Sequence, residues 1–154
     1  MKSVMAKGKD NPQPASVTLA GRMMFQGWVS IALWMSVGLL LEGLLGYKIP
    51  SYLNDPQRRE LFRLAHTHGT FLGLVLVAAS LSVRRLINPP PRPAQTALSA
   101  GSVVMPLGFL LAGIWHPEGD PGLAIWLVPP GALLVIFGAI ALALACFRDD
   151  SSKN

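Results

Sequence analysis

The sequence contains little charge. Only 14% of its 154 residues are Asp, Glu, Lys or Arg, whereas about 25% is usual for a soluble domain. Four long windows hold a single fixed charge between them, the carboxylate of Glu42; they are residues 25–46, 65–83, 94–115 and 122–147. Each window is close in length to the ~20 residues that cross a bilayer core. We therefore predict an all-α integral membrane protein.

Cysteine and the common catalytic motifs are also scarce. Cys146 is the single cysteine of the chain, which excludes an intramolecular disulfide. There is no G-x-S-x-G, H-E-x-x-H or C-x-x-C motif, and no phosphate-binding glycine loop ahead of a helix. Nor is there a basic stretch interleaved with aromatic residues, as nucleic-acid-binding proteins have. Enzymatic activity stays open, but these absences favour a protein that is not an enzyme on its own and that binds no nucleic acid.

The positions of lysine and arginine predict the orientation in the membrane. Nine of these residues lie before the first span, between the second and third spans, or after the fourth. The other four lie between the first and second spans. Cytoplasmic loops carry the excess of Lys and Arg, so we predict cytoplasmic N and C termini (N-in/C-in). The expected location is the bacterial cytoplasmic (inner) membrane, with the lipid bilayer as the main partner.

The predicted architecture is a four-helix antiparallel bundle. We expect a disordered cytoplasmic tail over residues 1–20, one four-span domain over 21–147, and a cytoplasmic tail over 148–154. The spans are expected near 25–46, 65–85, 95–116 and 123–147. Asn54 or Asp55 is suited to cap a helix with Pro56 in its first turn, so the second helix can begin there. Pro129 and Pro130 leave the continuity of the fourth helix open.

Small residues recur along three of the predicted spans. They are Ala65, Gly69 and Gly73 in the second, Gly101, Gly108 and Gly113 in the third, and Gly131 and Gly138 in the fourth. In lipid, small residues allow helix backbones to approach closely. Glycine and alanine are also simply common in membrane spans. The pattern therefore indicates helix contacts within the chain, in a homo-oligomer, or with a larger membrane complex, without distinguishing them.

Four ionisable residues are expected at the outer end of the bundle. Glu42 lies near the outer end of the first span, His66 and His68 at the start of the second, and His116 at the end of the third. Helix axes 8–10 Å apart would place them within roughly 10–15 Å of one another. A charged group near the centre of a span costs at least ~2.5 kcal/mol, so such residues suggest a functional site. The three histidines are the candidate cofactor ligands, and Glu42 joins them as a candidate metal ligand.

Each of these residues also has a plainer interpretation. Glu42 can be protonated, reach the interface, or pair with Arg63. His116 precedes a proline at a helix end, where a cation is favoured by the terminal carbonyls. His66 and His68 lie about 200° apart on a regular helix, so one metal ion cannot bind both unless the helix is irregular. Buried structural residues, metal or haem ligands, and proton carriers all stay open for this pair.

The segment "AHTHG" at the start of a span, after "LLLEGLLGYK", resembles small bacterial membrane proteins with an A-H-x-H-G motif. More distantly, it resembles the histidine-bearing helices of haem-copper oxidase subunit I. That resemblance implies that His66 or His68 is a haem or copper ligand, with His116 as a partner ligand. The oxidases need more histidines than the three of this chain. The resemblance therefore implies a single haem or one metal ion, and no binuclear oxygen-reducing centre.

From these observations we expect a small multi-pass membrane protein whose outer polar site binds haem or a transition-metal ion. Such a site would serve electron transfer, metal handling or assembly of a respiratory complex, because imidazoles suit these metals and helix bundles hold cofactors between facing helices. Two other functions stay open. One is a non-catalytic accessory subunit of a larger membrane complex, and the other is a proton-coupled carrier that uses Glu42.

Overall fold

The computed structural model describes residues 15–117 and 119–152. It contains a long first helix α1 (Ala15–Gly46), a single turn α2 (Pro50–Leu53) and a long helix α3 (Pro56–Arg85). Helix α4 (Arg92–Ile114) follows, and a 3-10 turn (Leu123–Leu127) leads into α5 (Val128–Ser151). No strand occurs in these two described ranges. Four helices are long and apolar enough to cross a membrane, so the predicted all-α, multi-pass bundle is confirmed.

Two helix boundaries differ from the sequence-based expectation. Helix α1 begins at Ala15, so the last six residues of the segment expected to be a disordered tail are helical; residues 1–14 lie outside the described part. Helix α5 continues to Ser151 and includes four residues of the expected C-terminal tail. Residues 118, 153 and 154 also lie outside the described part. The chain therefore has longer first and last helices than its hydropathy suggests.

The start of α3 follows the sequence closely. Asp55 caps the helix, since its side chain accepts a hydrogen bond from the backbone N–H of Arg58 at 2.9 Å. Pro56 occupies the first turn, where its missing N–H costs no hydrogen bond. Helix α3 then runs unbroken to Arg85. The second span is therefore continuous with the segment that precedes it.

The helices pack against one another in chain order. Helix α1 lies along α3, α3 along α4, and α4 along α5, whereas α1 and α5 do not touch in the described part of the chain. Helices α3 and α4 form the inner pair and bury the larger share of their residues. Helices α1 and α5 flank them and leave most of their apolar side chains exposed, as lipid-facing helices do.

Close glycine contacts hold neighbouring helices together. A Cβ atom built on Gly27 of α1 would lie 2.8 Å from the carbonyl oxygen of Gly73 of α3. A Cβ atom on Gly101 of α4 would lie 2.6 Å from the carbonyl oxygen of Gly131 of α5. Only glycine allows backbones to approach this closely. The small residues noted in the sequence therefore serve contacts between this chain's own helices.

The bundle has two distinct ends, which we name by their residues. At the tail end, Ser80 donates a hydrogen bond to the Ala20 carbonyl at 2.7 Å, and the Ile87 N–H donates to the Asp149 carboxylate at 2.8 Å. The opposite, histidine end contains Glu42 and His116. Between the two ends, Trp34 of α1 is 4% exposed and packs in a core with Leu61, Ala65, Phe109 and Ala112. This core sets the relative positions of α1, α3 and α4 beneath the histidine end.

Candidate functional site

His66 points from α3 toward α1. Its Nδ1 atom lies 2.6 Å from the backbone carbonyl oxygen of Trp34. A carbonyl oxygen can only accept a hydrogen bond, so Nδ1 carries the proton and Nε2 keeps a lone pair in the neutral ring. Within the described part of the chain, Nε2 has no hydrogen-bond partner. His66 is therefore held in the tautomer that has the proton on Nδ1, and the lone pair of Nε2 is available to a ligand.

A cavity of about 760 Å³ lies between α1 and α3 at the histidine end. Met35, Gly38 and His66 line it on the side nearer the bundle centre, and Tyr52 and Pro56 line it at the outer side. We call this space the α1–α3 cavity. Its volume falls within the roughly 300–1,000 Å³ of sites that bind small molecules and cofactors. The cavity is therefore large enough for an organic ligand and much larger than a single metal ion needs.

Gly38 provides the room for the His66 ring. A Cβ atom built on Gly38 would overlap the imidazole around its Cε1 atom. The ring therefore lies directly against the α1 backbone and reaches the Trp34 carbonyl one turn away. A residue without a side chain at position 38 is thus a condition for the observed orientation of His66.

Glu42 lines the same cavity, one helical turn beyond Gly38. Its side chain is exposed, and within the described residues it forms no ion pair. Arg63 forms an ion pair with Glu60 instead, at 3.2 Å. The alternative of a Glu42–Arg63 pair is therefore absent from this structure. Of the four candidate residues, Glu42 and His66 are the two that the fold brings to one cavity.

His68 faces the opposite side of α3. Its Nδ1 atom donates a hydrogen bond to the Leu64 carbonyl of its own helix at 2.8 Å. Its ring packs against Phe109 of α4, with ring centroids 5.1 Å apart. Because α3 is regular at this point, two residues of separation turn His68 away from α1. His66 and His68 therefore do not converge on one ligand.

His116 lies just beyond the end of α4 and contacts the start of α3. Its Nε2 atom is 3.0 Å from a carboxylate oxygen of Asp55, and its Nδ1 atom is 2.9 Å from the Pro117 carbonyl. The His116 side chain is 6% exposed. Both neighbouring oxygens are acceptors, so both contacts are favourable when each ring nitrogen carries a proton. The pair connects the outer ends of α3 and α4.

Asp55 combines two electrostatic roles at this point. The backbone N–H of Arg58 is the main reason that the pKa of Asp55 lies below its ordinary value of 3.8. Burial acts in the opposite direction, and the charges of His116 and Arg58 lower the pKa further. The carboxylate is therefore ionised near neutral pH and stabilises both the α3 terminus and the α3–α4 contact.

The four candidate residues do not share one pocket, which corrects the expectation that all of them gather. Among the described residues, no group of three His, Cys, Asp or Glu side chains is positioned to hold a metal ion. The physical reason is that α1 and α4 pack on different sides of α3, so each histidine meets a different neighbour. Ligand roles for His66, His68, His116 and Glu42 stay predictions.

Two further residues of the cavity were not predicted from the sequence to lie there together. Arg59 and Arg63 both line the α1–α3 cavity on the same face of α3 as His66. The spacing of the three residues contains the signal, because positions i, i+4 and i+7 share one helix face. The carbonyl of Trp34 could not be found in this way, since it is a backbone group on another helix.

The fold and the cavity define a multi-pass helical membrane protein with a polar site between its first two spans. No protein-family model matches the chain, and comparisons with the curated proteins and with the solved structures also found no match.

Proposed function

We propose that the protein binds a haem or a transition-metal ion through Nε2 of His66 in the α1–α3 cavity. The observation that carries this proposal is the hydrogen bond from His66 Nδ1 to the Trp34 carbonyl. Metal-binding histidines almost always donate their other N–H to a carbonyl, a carboxylate or water, which fixes the tautomer and makes the ligand more basic. His66 has this support from the Trp34 carbonyl.

Two neighbours in the cavity support the same proposal. Met35 also lines the cavity from α1, and a thioether is a ligand that copper ions and haem iron accept. Glu42 contributes a carboxylate, which suits a divalent ion. Under this proposal His68 and His116 stabilise helix contacts and are not ligands.

The site would lie at the outer surface of the bacterial inner membrane. This placement follows from the excess of Lys and Arg in the segments that belong to the tail end, which favours cytoplasmic termini. A single cofactor at that surface suits one-electron transfer, or delivery of the cofactor to a respiratory complex. Oxygen reduction is not proposed, because the chain has three histidines in all.

The test is a visible absorption spectrum and an elemental analysis of the detergent-purified protein, before and after incubation with haem, Zn²⁺ or Cu²⁺. We expect a Soret band or about one metal ion per chain, lost in His66→Ala. His68→Ala is the matched control, since it removes the same ring from the opposite face of α3. A wild-type protein that binds none of the three contradicts the proposal, as does loss of binding in His68→Ala with retention in His66→Ala.

A further inference from the structure

Two arginines lie on the same face of α3 as His66. Arg63 lies three residues before His66, which places it about 5 Å closer to the outer end of the helix than His66 is. Arg59 lies seven residues before His66, about 10 Å closer to that end. Both side chains line the α1–α3 cavity. The cavity therefore has an imidazole on its inner side and two guanidinium groups toward its outer side.

The charge of Arg59 is not compensated by a neighbour. Arg59 is half-buried, and within the described residues it forms neither an ion pair nor a side-chain hydrogen bond. Arg63 contacts Glu60, but both side chains are largely exposed, and exposed pairs of this kind contribute little. Buried charges are usually paired, and Arg59 is partly removed from water. An anionic group on a ligand would supply the missing partner, and Arg59 would bind it more strongly than Arg63.

The α1 wall that faces the two arginines is mostly apolar, and Glu42 is the carboxylate that it contributes. Leu39, Leu41 and Leu45 of α1 line the cavity alongside the two arginines. A bare metal ion would use the imidazole and the Glu42 carboxylate but not the arginines, and an anionic lipid would use only the arginines and the leucines. A flat metal-containing macrocycle with carboxylates along one edge would use all three features together.

We infer that the ligand is an iron porphyrin with carboxylate side chains, that is, haem, and that Arg59 and Arg63 bind its carboxylates. Guanidinium groups match carboxylates through two parallel hydrogen bonds, which gives both strength and orientation. The inference rests on the proposed function for the iron ligand His66. The arginine contacts, by contrast, do not need a metal, so the two ideas can be tested separately.

The experiment titrates the full-length protein in nanodiscs with haem, with metal-free protoporphyrin and with haem dimethyl ester. For Arg59→Gln/Arg63→Gln we expect haem affinity to fall at least about tenfold, because charge-assisted hydrogen bonds are lost. The Soret position should stay the same, since His66 is retained. Arg84→Gln/Arg85→Gln, at the other end of α3, is the matched control and should bind haem like the wild type.

The two other titrants separate the contributions of iron and carboxylate. Metal-free protoporphyrin should lose affinity in Arg59→Gln/Arg63→Gln and keep it in His66→Ala. Haem dimethyl ester should bind the wild type as weakly as haem binds the arginine variant. Thermal unfolding of each variant confirms that the fold is retained.

Several outcomes would overturn the inference. Equal haem affinities of the wild type and the arginine variant would do so, and so would release of haem by phosphatidylglycerol but not by phosphatidylcholine, which would identify a lipid headgroup as the anion. Binding of Zn²⁺ or Cu²⁺ through His66 without porphyrin binding would refute the inference and leave the proposed function in place. Arginine-dependent haem binding with an unchanged spectrum in His66→Ala would refute the proposed function alone.

Discussion

The contact between α1 and α3 has two unlike halves. Toward the tail end, Gly27 and Gly73 bring the two backbones together with no side chain between them. Toward the histidine end, the same helices border the α1–α3 cavity, which larger side chains, both apolar and polar, line. Trp34 packed over Gly69 lies between the halves. Glycines in one half therefore fix the helix separation, and the cavity in the other half depends on that separation.

The largest effect is expected when a side chain is added in the half of the contact that contains Gly27 and Gly73. In Gly27→Ala, the new Cβ would lie 2.8 Å from the Gly73 carbonyl oxygen and 2.8 Å from Cγ2 of Val77. Backbone atoms cannot move aside, so α1 and α3 must separate. We expect the free energy of unfolding to fall by about 1–3 kcal/mol, as for other overpacked contacts. Thermal or denaturant unfolding in detergent measures it.

Gly43→Ala is the matched control on the same helix. A Cβ at Gly43 would have no atom within 4 Å, so its effect should be neutral or slightly stabilising through better helix propensity. If Gly43→Ala destabilised the protein as much as Gly27→Ala, the close contact would not be what distinguishes the two halves.

A smaller loss of stability with a specific loss of binding is expected from Gly38→Ala. The Cβ would displace the His66 ring, whose end can rotate away, and would break its hydrogen bond to Trp34. We expect the free energy of unfolding to fall by about 1 kcal/mol for the lost hydrogen bond. Haem or metal binding should fall as far as in His66→Ala. Normal binding by Gly38→Ala would show that this contact does not orient the ligand.

The smallest effect is expected when the pH is lowered. It concerns Asp55, which lies at the histidine end but outside the α1–α3 cavity. Because the pKa of Asp55 is lower in the folded protein, its carboxylate contributes full stability above the ordinary value of 3.8. That contribution is lost as the pH falls below this value. The Tm of the wild type should therefore drop more steeply between about pH 5 and pH 3 than that of Asp55→Asn, which keeps a capping side chain without the charge. Parallel Tm curves would argue against the charge contribution.

The sequence predicts the scaffold well because each signal is local. Spans follow from windows without charge, and the start of α3 follows from the adjacent Asp55 and Pro56. The opposite directions of His66 and His68 follow from the helical period alone. No proline follows Pro14 in the segment expected to be the tail, and α1 extends back to Ala15.

The site was less predictable because it depends on which helices become neighbours. Helical period cannot reveal that α1 covers the face with His66 while α4 covers the face with His68. The contact between Asp55 and His116 joins residues far apart in sequence and arises from the packing of α4 on α3. A shared position at the outer end of the bundle therefore did not bring the three histidines together.

The row of helices, in which α1 and α5 do not touch within the described residues, has a consequence for biogenesis. Each long helix packs mainly against the long helices next to it in the chain. The first span therefore needs no contact with the last one, which leaves the ribosome after all the others. Chains dominated by such near-sequence contacts assemble quickly. The α1–α3 pair, with its cavity, can thus form while the second half of the polypeptide is still being translated.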